Sequence, residues 1–312
     1  MKIKNVCYIF LAVLLCITLS SCQQKLRTYD VYVCESDSNL TDSDIPVKYN
    51  ISKNTYTLPK AKAYRKLNTS SKSLSLGSDI IPLNYERTYN YDSCEYFVNS
   101  YTNTEYLLTV NYDEKTDAPV SIILGDYKYK ITDKPIANND YLLKVCTSFL
   151  SNYVPDLSIY TASTTTWVQY VDEHGVENET LSEFRNLQND NENITYTVDF
   201  NYSIDGIKTA ENISISVTSD GYLKSMSMNM IGEFTKYSAV DVDTHLCEQL
   251  ISNEVATLCD IEGYEYNGYT DSKMLVILSN KLCLLSFVSP KLSNRTGDIH
   301  AGTIQLLIPI SE

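Results

Sequence analysis

The sequence predicts an α+β fold in which tandem units, each one helix packed on an antiparallel β-meander, follow a signal peptide and a flexible tether. Apolar and polar residues alternate from Thr195 to Met230, as they do on half-buried strands. A helical pattern precedes those strands, and a second helical pattern later in the chain precedes another group of strands. The expected segments are a signal peptide (1–21), a polar tether (22–57), a β-rich unit (58–135) and two helix-plus-meander units (136–236 and 237–312).

The N-terminus has the pattern of an export signal. Lys2 and Lys4 precede an apolar run from Val6 to Leu19. As a helix this run would span only about 21 Å, against a hydrocarbon core of ~30 Å, so a stable transmembrane span is not expected. Two serines then precede the expected cleavage site, as a signal peptide requires.

The sequence Leu19-Ser20-Ser21-Cys22 resembles a bacterial lipobox, in which the cysteine is lipidated and becomes the mature N-terminus. This resemblance implies that Cys22 carries acyl chains, and two or more chains would hold the protein to a membrane. It implies a location on the extracellular face of the bacterial cell membrane, or in the outer membrane of an organism that has one. The alternative is an ordinary secretory signal in which Cys22 occurs by chance.

The charge and the cysteine positions limit the partners and the covalent structure. The net charge is −14, and removal of residues 1–21 with their two lysines leaves −16, which argues against a nucleic-acid partner. Cys247 and Cys259 fall on one predicted helix about 18 Å apart, whereas the α-carbons of a disulfide lie ~6 Å apart. We therefore expect mostly reduced, buried cysteines.

The segment between the signal peptide and the first expected strands is polar and aperiodic, with Ser, Asp and Asn clustered from Cys34 to Asp44. Such a composition cannot bury enough apolar surface to order itself, so a flexible tether is expected there. The β-rich unit that follows is predicted from the strand-like sequences "EYLLTVNYD", "APVSIIL" and "DYKYKIT".

The strands between Thr195 and Met230 have a predictable register. Asp205-Gly206 and Asp220-Gly221 are typical two-residue hairpin turns. A four-residue loop at Lys208–Glu211 is an alternative to the first turn, and it would shift the pairs while keeping the same faces together. The expected pairs are Ile204–Ile207, Val198–Ile213, Tyr196–Ile215, Ile213–Met228 and Ile215–Met226.

Two helices are available to cover the apolar face of these strands. The first is predicted within Asn138–Tyr153 and the second within Asp241–Cys259, each with apolar residues at helical spacing. Asn and Asp residues near their starts, among them Asp140 and Asp243, are candidate N-caps.

The first helix followed by "YTVDFNYSIDGIKTAENISISVTSDGYLKSM" is similar to PepSY and FTP-type modules of bacterial surface proteins and peptidase propeptides. The shared features are a strand that ends near Gly206, the sequence "ENISISV", and "SDGYL" before the next strand. The resemblance implies a cystatin-like α+β fold, whose relatives mostly bind or inhibit rather than catalyse.

The sequence contains no Gly-x-Ser-x-Gly, His-Glu-x-x-His, P-loop or Gly-x-Gly-x-x-Gly motif, and no cofactor is expected. The metal-ligand candidate is Asp241-x-Asp243-x-His245, although acids at a helix start with an exposed histidine are the favoured interpretation. The oxygen-rich segment Asn186–Ile194 and His174 are weaker candidates for calcium binding and pH sensing, and solvated loops are favoured for both.

Tyrosine is frequent, with 26 copies. It suits binding surfaces for peptides or glycans, although strand packing explains such a bias as well. The stretch from Tyr85 to Tyr106 contains the candidate ligand contacts Tyr85, Tyr89, Tyr91, Tyr96, Tyr101 and Tyr106.

We therefore expect a non-catalytic lipoprotein that binds a protein, peptide or cell-wall glycan by strand-edge or sheet-face recognition. The alternatives are a regulatory or scaffold subunit of a membrane complex, such as that of a sensor kinase or transporter, and a metal-assisted enzyme.

Overall fold

The computed structural model describes residues 29–35, 49, 54–57, 70–90, 97–172, 175–188, 191–237, 242–278 and 280–310. The chain divides into two units, Met1–Asp30 and Val31–Glu312, and every helix and strand described here belongs to the second unit. No helix among the described residues is both long and apolar enough to cross a membrane.

The described residues form two α-helices and 17 strands. The helices are α1 (Asn139–Leu150) and α2 (Thr244–Leu258). The strands of the first half are β1 (Tyr32–Glu35), β2 (Thr55–Thr57), β3 (Lys72–Leu76), β4 (Asp79–Asn90), β5 (Phe97–Asn103), β6 (Leu108–Asp113), β7 (Pro119–Ile123) and β8 (Tyr129–Lys130). Those of the second half are β9 (Thr161–Asp172), β10 (Gly175–Leu181), β11 (Glu192–Ile204), β12 (Ile207–Thr218), β13 (Tyr222–Asn229), β14 (Glu265–Leu278), β15 (Lys281–Asn294), β16 (Gly297–His300) and β17 (Ile304–Pro309).

Ten of the 17 described strands, β4 to β13, form one long antiparallel sheet, which we call the first sheet. Its strands pair in the order β4–β5–β6–β7–β13–β12–β11–β9–β10, and β8 pairs with β13 beside β7. β3 forms a hairpin with the first part of β4. β10 is therefore the last strand at one end of this sheet.

One face of the first sheet, which we call the inner face, forms the main hydrophobic core. Alternate residues of β11, β12 and β13 are buried there, because antiparallel strands turn every second side chain to the same side. Helix α1 contributes Leu142, Cys146 and Leu150 to the same cluster. The Asn138 side chain caps α1 by accepting the Tyr141 N–H (2.9 Å), which satisfies one of the unpaired donors at the helix start.

The second sheet pairs in the order β14–β15–β17–β1–β2, and β16 extends the pairing along the end of β15. Only β1 and β2 are parallel within it. Helix α2 contacts β14 and β15 and buries Cys247, Ile251, Val255 and Leu258. A single parallel bridge between Thr209 of β12 and Leu275 of β14 connects the two sheets.

The predicted α+β class, with tandem helix-on-meander units, is wrong. The protein is mostly β, and its strands pair across the expected unit boundaries into one mixed 17-stranded sheet. β13 pairs with β7 and β8 of the N-terminal segment, so the segments 58–135 and 136–236 share one sheet. β1 and β2, which lie within the predicted tether, complete the second sheet and bury Val33 and Cys34. The physical reason is that an isolated meander leaves unpaired backbone groups at both edges, and pairing with distant segments satisfies them.

The local register predictions within this sheet are largely confirmed. Ile204 pairs with Ile207, Ile213 with Met228 and Ile215 with Met226, as the two hairpin turns predict. Gly221 has φ +82°, and a Cβ there would lie 2.7 Å from the Thr132 carbonyl oxygen, so this turn requires glycine.

The predicted pairs of Ile213 and Ile215 with β11 are wrong by two residues. An irregularity between Asn201 and Ser203 pairs Ile213 with Phe200 and Ile215 with Val198. Because strand side chains alternate with a period of two, this shift preserves the buried faces.

Candidate binding surface

The tyrosines predicted as ligand contacts pack largely against one another and against the core. Tyr101 is only 2% exposed, and its ring makes edge contacts with Tyr85 (5.6 Å between centroids) and Tyr112 (5.4 Å). Tyr106 is half-buried and makes an edge contact with Tyr127 (5.1 Å). The hydroxyl of Tyr85 lies 2.7 Å from that of Thr88, which is fully buried. These rings therefore have structural partners within the protein.

Several candidate positions lie outside the described residues: the lipidation site Cys22, the contacts Tyr91 and Tyr96, His174, Asp241, and residues 189–190 of the oxygen-rich segment. Tyr89 is described and half-buried, with the Arg87 guanidinium 5.5 Å from its ring centroid.

Two of the candidate metal-ligand residues, Asp243 and His245, have other partners, as the favoured interpretation of an acidic helix start implies. Asp243 is the N-cap of α2 and accepts the Leu246 N–H (2.9 Å), while Asp241 lies outside the described residues. His245 Nε2 lies 3.1 Å from Gln249 Nε2 on the exposed side of the same helix. Among the described residues, no group of three or more His, Cys, Asp or Glu side chains is arranged to hold a metal ion.

The hairpin of β9 and β10 lies at one end of the first sheet. β10 pairs with β9 from Gly175–Asp172 to Leu181–Thr166, and six of its seven residues are exposed. Among the described strands β10 pairs with β9 alone, so no described strand lies on its other side. Within the described residues, both faces of this strand are therefore exposed and one of its edges has no paired strand.

The direction of the free backbone groups follows from one hydrogen bond on the opposite side of β9. Val171 donates its N–H to the carbonyl of Asn191, on the β11 side (3.0 Å). In an antiparallel strand the N–H and C=O of one residue point to the same side, and those of the next residue point to the other side. Because Val171 bonds toward β11, Tyr170 bonds toward β10, and its partner Glu177 bonds toward β9.

The residues on either side of Glu177 therefore point their backbone groups away from β9. These residues are Val176, Asn178 and Thr180. Each offers one N–H donor and one C=O acceptor at the open edge, which is the arrangement that an added strand requires.

Charged side chains lie on the inner face beside this edge. Arg185 donates to Tyr170 Oη (2.7 Å) and to the buried Glu192 carboxylate (2.9 Å), and it lies 3.5 Å from Glu179. The hydrogen bond to Tyr170 and the charge of Glu192 raise the pKa of Arg185. Tyr170 in turn donates to Glu179 (2.7 Å).

The segment that follows β10, residues 182–188, packs against β9 and β11 and fixes the hairpin. The Thr166 hydroxyl donates to the Glu183 carbonyl (2.6 Å) and accepts the Arg185 N–H (3.0 Å). Phe184 stacks on Tyr196 with ring centroids 4.8 Å apart, and Tyr196 donates to the Arg185 carbonyl (3.0 Å). Glu192, within the predicted calcium segment, accepts from Arg185 and from the Gln188 N–H (3.0 Å). The edge strand is thus held by several contacts on the side that faces the protein.

The opposite, outer face of the first sheet is rich in Ser, Thr and Asn. Many of these groups bond one another across strands: Thr197 and Ser216 hydroxyls lie 2.9 Å apart, and Asn229 Nδ2 donates to Asn212 Oδ1 (2.7 Å). At the β9–β10 end this face instead exposes apolar side chains, namely Trp167 (37% exposed), Val171 (43%) and Val176 (56%). The open edge and the exposed apolar groups therefore occur together.

The sequence signal for this edge was weak. The residues of β9 have an evident strand pattern, but those of β10, "GVENETL", are mostly polar and form a strand by pairing with β9. An edge strand exposed on both faces has no apolar alternation to reveal it.

The five cysteines within the described residues are free and buried, namely Cys34, Cys146, Cys247, Cys259 and Cys283. Burial raises the pKa of the Cys146 thiol to about 12, so it is protonated at neutral pH and poorly nucleophilic. Within the described part of the chain these thiols form core packing and no nucleophilic site.

Comparison with known proteins identifies no relative, since no protein-family model, no curated protein and no solved structure matches the chain. The functional interpretation therefore depends on the residues of this chain.

Proposed function

We propose that the chain is a membrane-anchored extracellular lipoprotein that binds an extended polypeptide segment, without catalysis, by adding it as a strand to β10. The resemblance of Leu19–Cys22 to a lipobox supports the anchor. The observation that carries the binding proposal is the open edge of β10, where Val176, Asn178 and Thr180 direct backbone donors and acceptors away from the protein.

We assign binding to the open edge of β10 and not to the outer face of the first sheet. Hydroxyl and amide groups on the outer face, such as Thr197 with Ser216, already bond one another. An incoming ligand would have to replace those bonds, and the net gain from an exchanged hydrogen bond is small. The backbone groups at the β10 edge are exchanged only with water, and several neighbouring bonds form together when a strand adds.

A proline substitution tests strand addition directly. Asn178→Pro removes an N–H that points away from β9, so the β9–β10 pairing is retained while the open edge loses a donor. Asn178→Ala is the matched control, because it removes the side chain and keeps the N–H. Random decapeptides would be selected for binding to the full-length protein in detergent, and the affinity of the enriched peptides measured on both variants.

We expect the proline variant to weaken binding about tenfold or more and the alanine variant to have little effect. Urea unfolding of both variants would be measured to check that each retains the fold. The binding proposal is wrong when no peptide is enriched, or when enriched peptides bind the proline variant as well as the wild type.

The anchor has an independent test. Cys22→Ser is expected to give an unprocessed precursor without lipid, and Ser21→Ala, which keeps the acceptor thiol, is expected to be processed. The measurement is mass spectrometry of the membrane fraction. Normal processing and membrane retention of the Cys22→Ser protein would contradict the lipoprotein interpretation.

A further inference from the structure

The side chains of β10 limit which polypeptide can add to its edge. Successive residues of a strand face opposite sides of the sheet, so Val176, Asn178 and Thr180 lie on the outer face and Glu177 and Glu179 on the inner face. A strand that pairs with β10 has its own side chains opposite these residues, with the same alternation. This reasoning rests on the proposed strand addition.

The inner face at this edge has an excess of negative charge. Arg185 is shared by two carboxylates, since it lies 2.9 Å from Glu192 and 3.5 Å from Glu179. Glu177 is exposed and forms no ion pair within the described residues. The added strand would therefore lie beside one guanidinium, that of Arg185, and three carboxylates, those of Glu177, Glu179 and Glu192. A cation placed opposite Glu177 would be attracted both by that side chain and by the remaining charge of the group.

A second copy of β10 fits this edge poorly. Two copies paired around a twofold axis at Asn178 would place Glu177 opposite Glu179, and an axis at either glutamate would place it opposite itself. Like charges directly opposite each other on neighbouring strands are destabilising. Each copy also carries a net charge of −14, so the whole chains repel each other.

We infer that the ligand of β10 is an extended segment with Lys or Arg at every second position and apolar or hydroxyl-bearing residues between them. The basic side chains would lie opposite Glu177 and Glu179 on the inner face. The intervening side chains would lie opposite Val176, Asn178 and Thr180 on the outer face, continuing the exposed apolar surface of the β9–β10 hairpin.

Four synthetic peptides of equal length distinguish sequence alternation from bulk charge. They are alternating Val-Lys, alternating Val-Gln, alternating Val-Glu, and a peptide with the composition of the first in which Val and Lys form separate blocks. Binding to the full-length protein would be measured by fluorescence anisotropy at low and at high salt. The protein variants are Glu177→Gln, Asn178→Pro and Asn178→Ala.

We expect alternating Val-Lys to bind most tightly, with roughly a two- to fivefold advantage for each Lys–Glu pair over Val-Gln. Glu177→Gln should reduce this advantage, and so should high salt, which screens exposed charges. Equal binding of the Val-Lys, Val-Gln and Val-Glu peptides, or equal binding of the block peptide, would overturn the inference.

The same measurements distinguish a failure of strand addition from a failure of the predicted basic alternation. If peptides of every pattern bind and are weakened by Asn178→Pro, strand addition stands and only the basic alternation is wrong. If neither these peptides nor any selected decapeptide is sensitive to Asn178→Pro, strand addition itself is wrong.

Discussion

Glu211 is a fully buried carboxylate whose hydrogen bonds connect three separate segments. Its Oε1 accepts the hydroxyl of Tyr160, which precedes β9, and the N–H of Gly232 (2.8 Å). Its Oε2 accepts the N–H of Phe234 (3.2 Å), in the turn after β13. Burial, and then the hydrogen bond to Glu211, raise the pKa of Tyr160, so this hydroxyl remains a donor at neutral pH.

Glu211→Gln keeps the shape of the side chain and removes one acceptor. The amide oxygen can still accept from Tyr160 and Gly232, but the amide nitrogen is a donor and would face the Phe234 N–H. A buried donor without a partner costs about 1–3 kcal/mol, so we expect the free energy of unfolding to fall by that amount. Glu211→Ala would leave all three donors unpaired and should cost about 3–6 kcal/mol, a large part of the 5–15 kcal/mol stability of a typical domain.

The measurement is urea unfolding followed by far-UV circular dichroism, with Glu233→Gln as the matched control. Glu233 is exposed and lies 3.5 Å from the exposed Lys236, so its substitution should change the stability by less than about 0.5 kcal/mol. A Glu211→Gln protein as stable as the control, or more stable, would refute this reasoning. It would mean that the desolvation cost of the buried carboxylate equals or exceeds the gain from its hydrogen bonds.

Two further predictions concern buried polar and titratable groups. Asn111 Oδ1 is buried and has no hydrogen-bond partner among the described residues, so Asn111→Val should leave the free energy of unfolding unchanged or raise it by about 1 kcal/mol. In contrast, Asn99→Val on the neighbouring strand should lower the free energy of unfolding by about 1 kcal/mol, because the buried Thr88 hydroxyl loses its acceptor (2.6 Å) and is left with the Tyr85 hydroxyl, 2.7 Å away. The reverse order of the two variants in urea unfolding would refute both predictions. Burial raises the pKa of Cys146 from 9.0, and of Tyr196 from 10.0, to about 12 in each case. Above pH 9 the unfolded chain therefore loses protons that the folded chain keeps. The free energy of unfolding should fall between pH 9 and 12, and these two groups should not change it below pH 9. A constant free energy of unfolding between pH 8 and 11 would contradict this predicted loss of stability.

Local features of the fold could be predicted because they depend on neighbouring residues in the sequence. The turn at Asp205-Gly206 determined the pair Ile204–Ile207. The pair Ile213–Met228 is the one that the turn at Asp220-Gly221 predicts, although a register irregularity between Ser216 and Val217 lies between them. The irregularity beside Asn201 could not be predicted in the same way. It accompanies the buried Glu211, whose partners lie in segments before β9 and after β13.

The candidate site was predictable only in kind. Strand-edge recognition by a non-catalytic protein was expected from the strand patterns and the absence of catalytic motifs, and this expectation remains a proposal. The location of the edge was not predicted, because β10 is mostly polar, is exposed on both faces and carries no periodic signal. The tyrosine-rich stretch, which was the first candidate for a contact surface although strand packing was the favoured explanation, has Tyr101 in the core.

The sequence by itself determined the alternation of buried and exposed faces, the two helices, the cap at Asp243, and the hairpin turns between β11, β12 and β13. The candidate cap Asp140 was wrong, because Asn138 caps the first helix and Asp140 lies in its first turn. Each depends on side-chain periodicity or turn chemistry over a few residues. The tertiary structure alone decided which strands lie beside one another: β13 against β7, β17 against β1, and β10 with one side open. The physical reason is that strand edges present the same backbone groups whatever their sequence, so long-range pairing depends on how the whole chain satisfies those groups while burying its apolar faces.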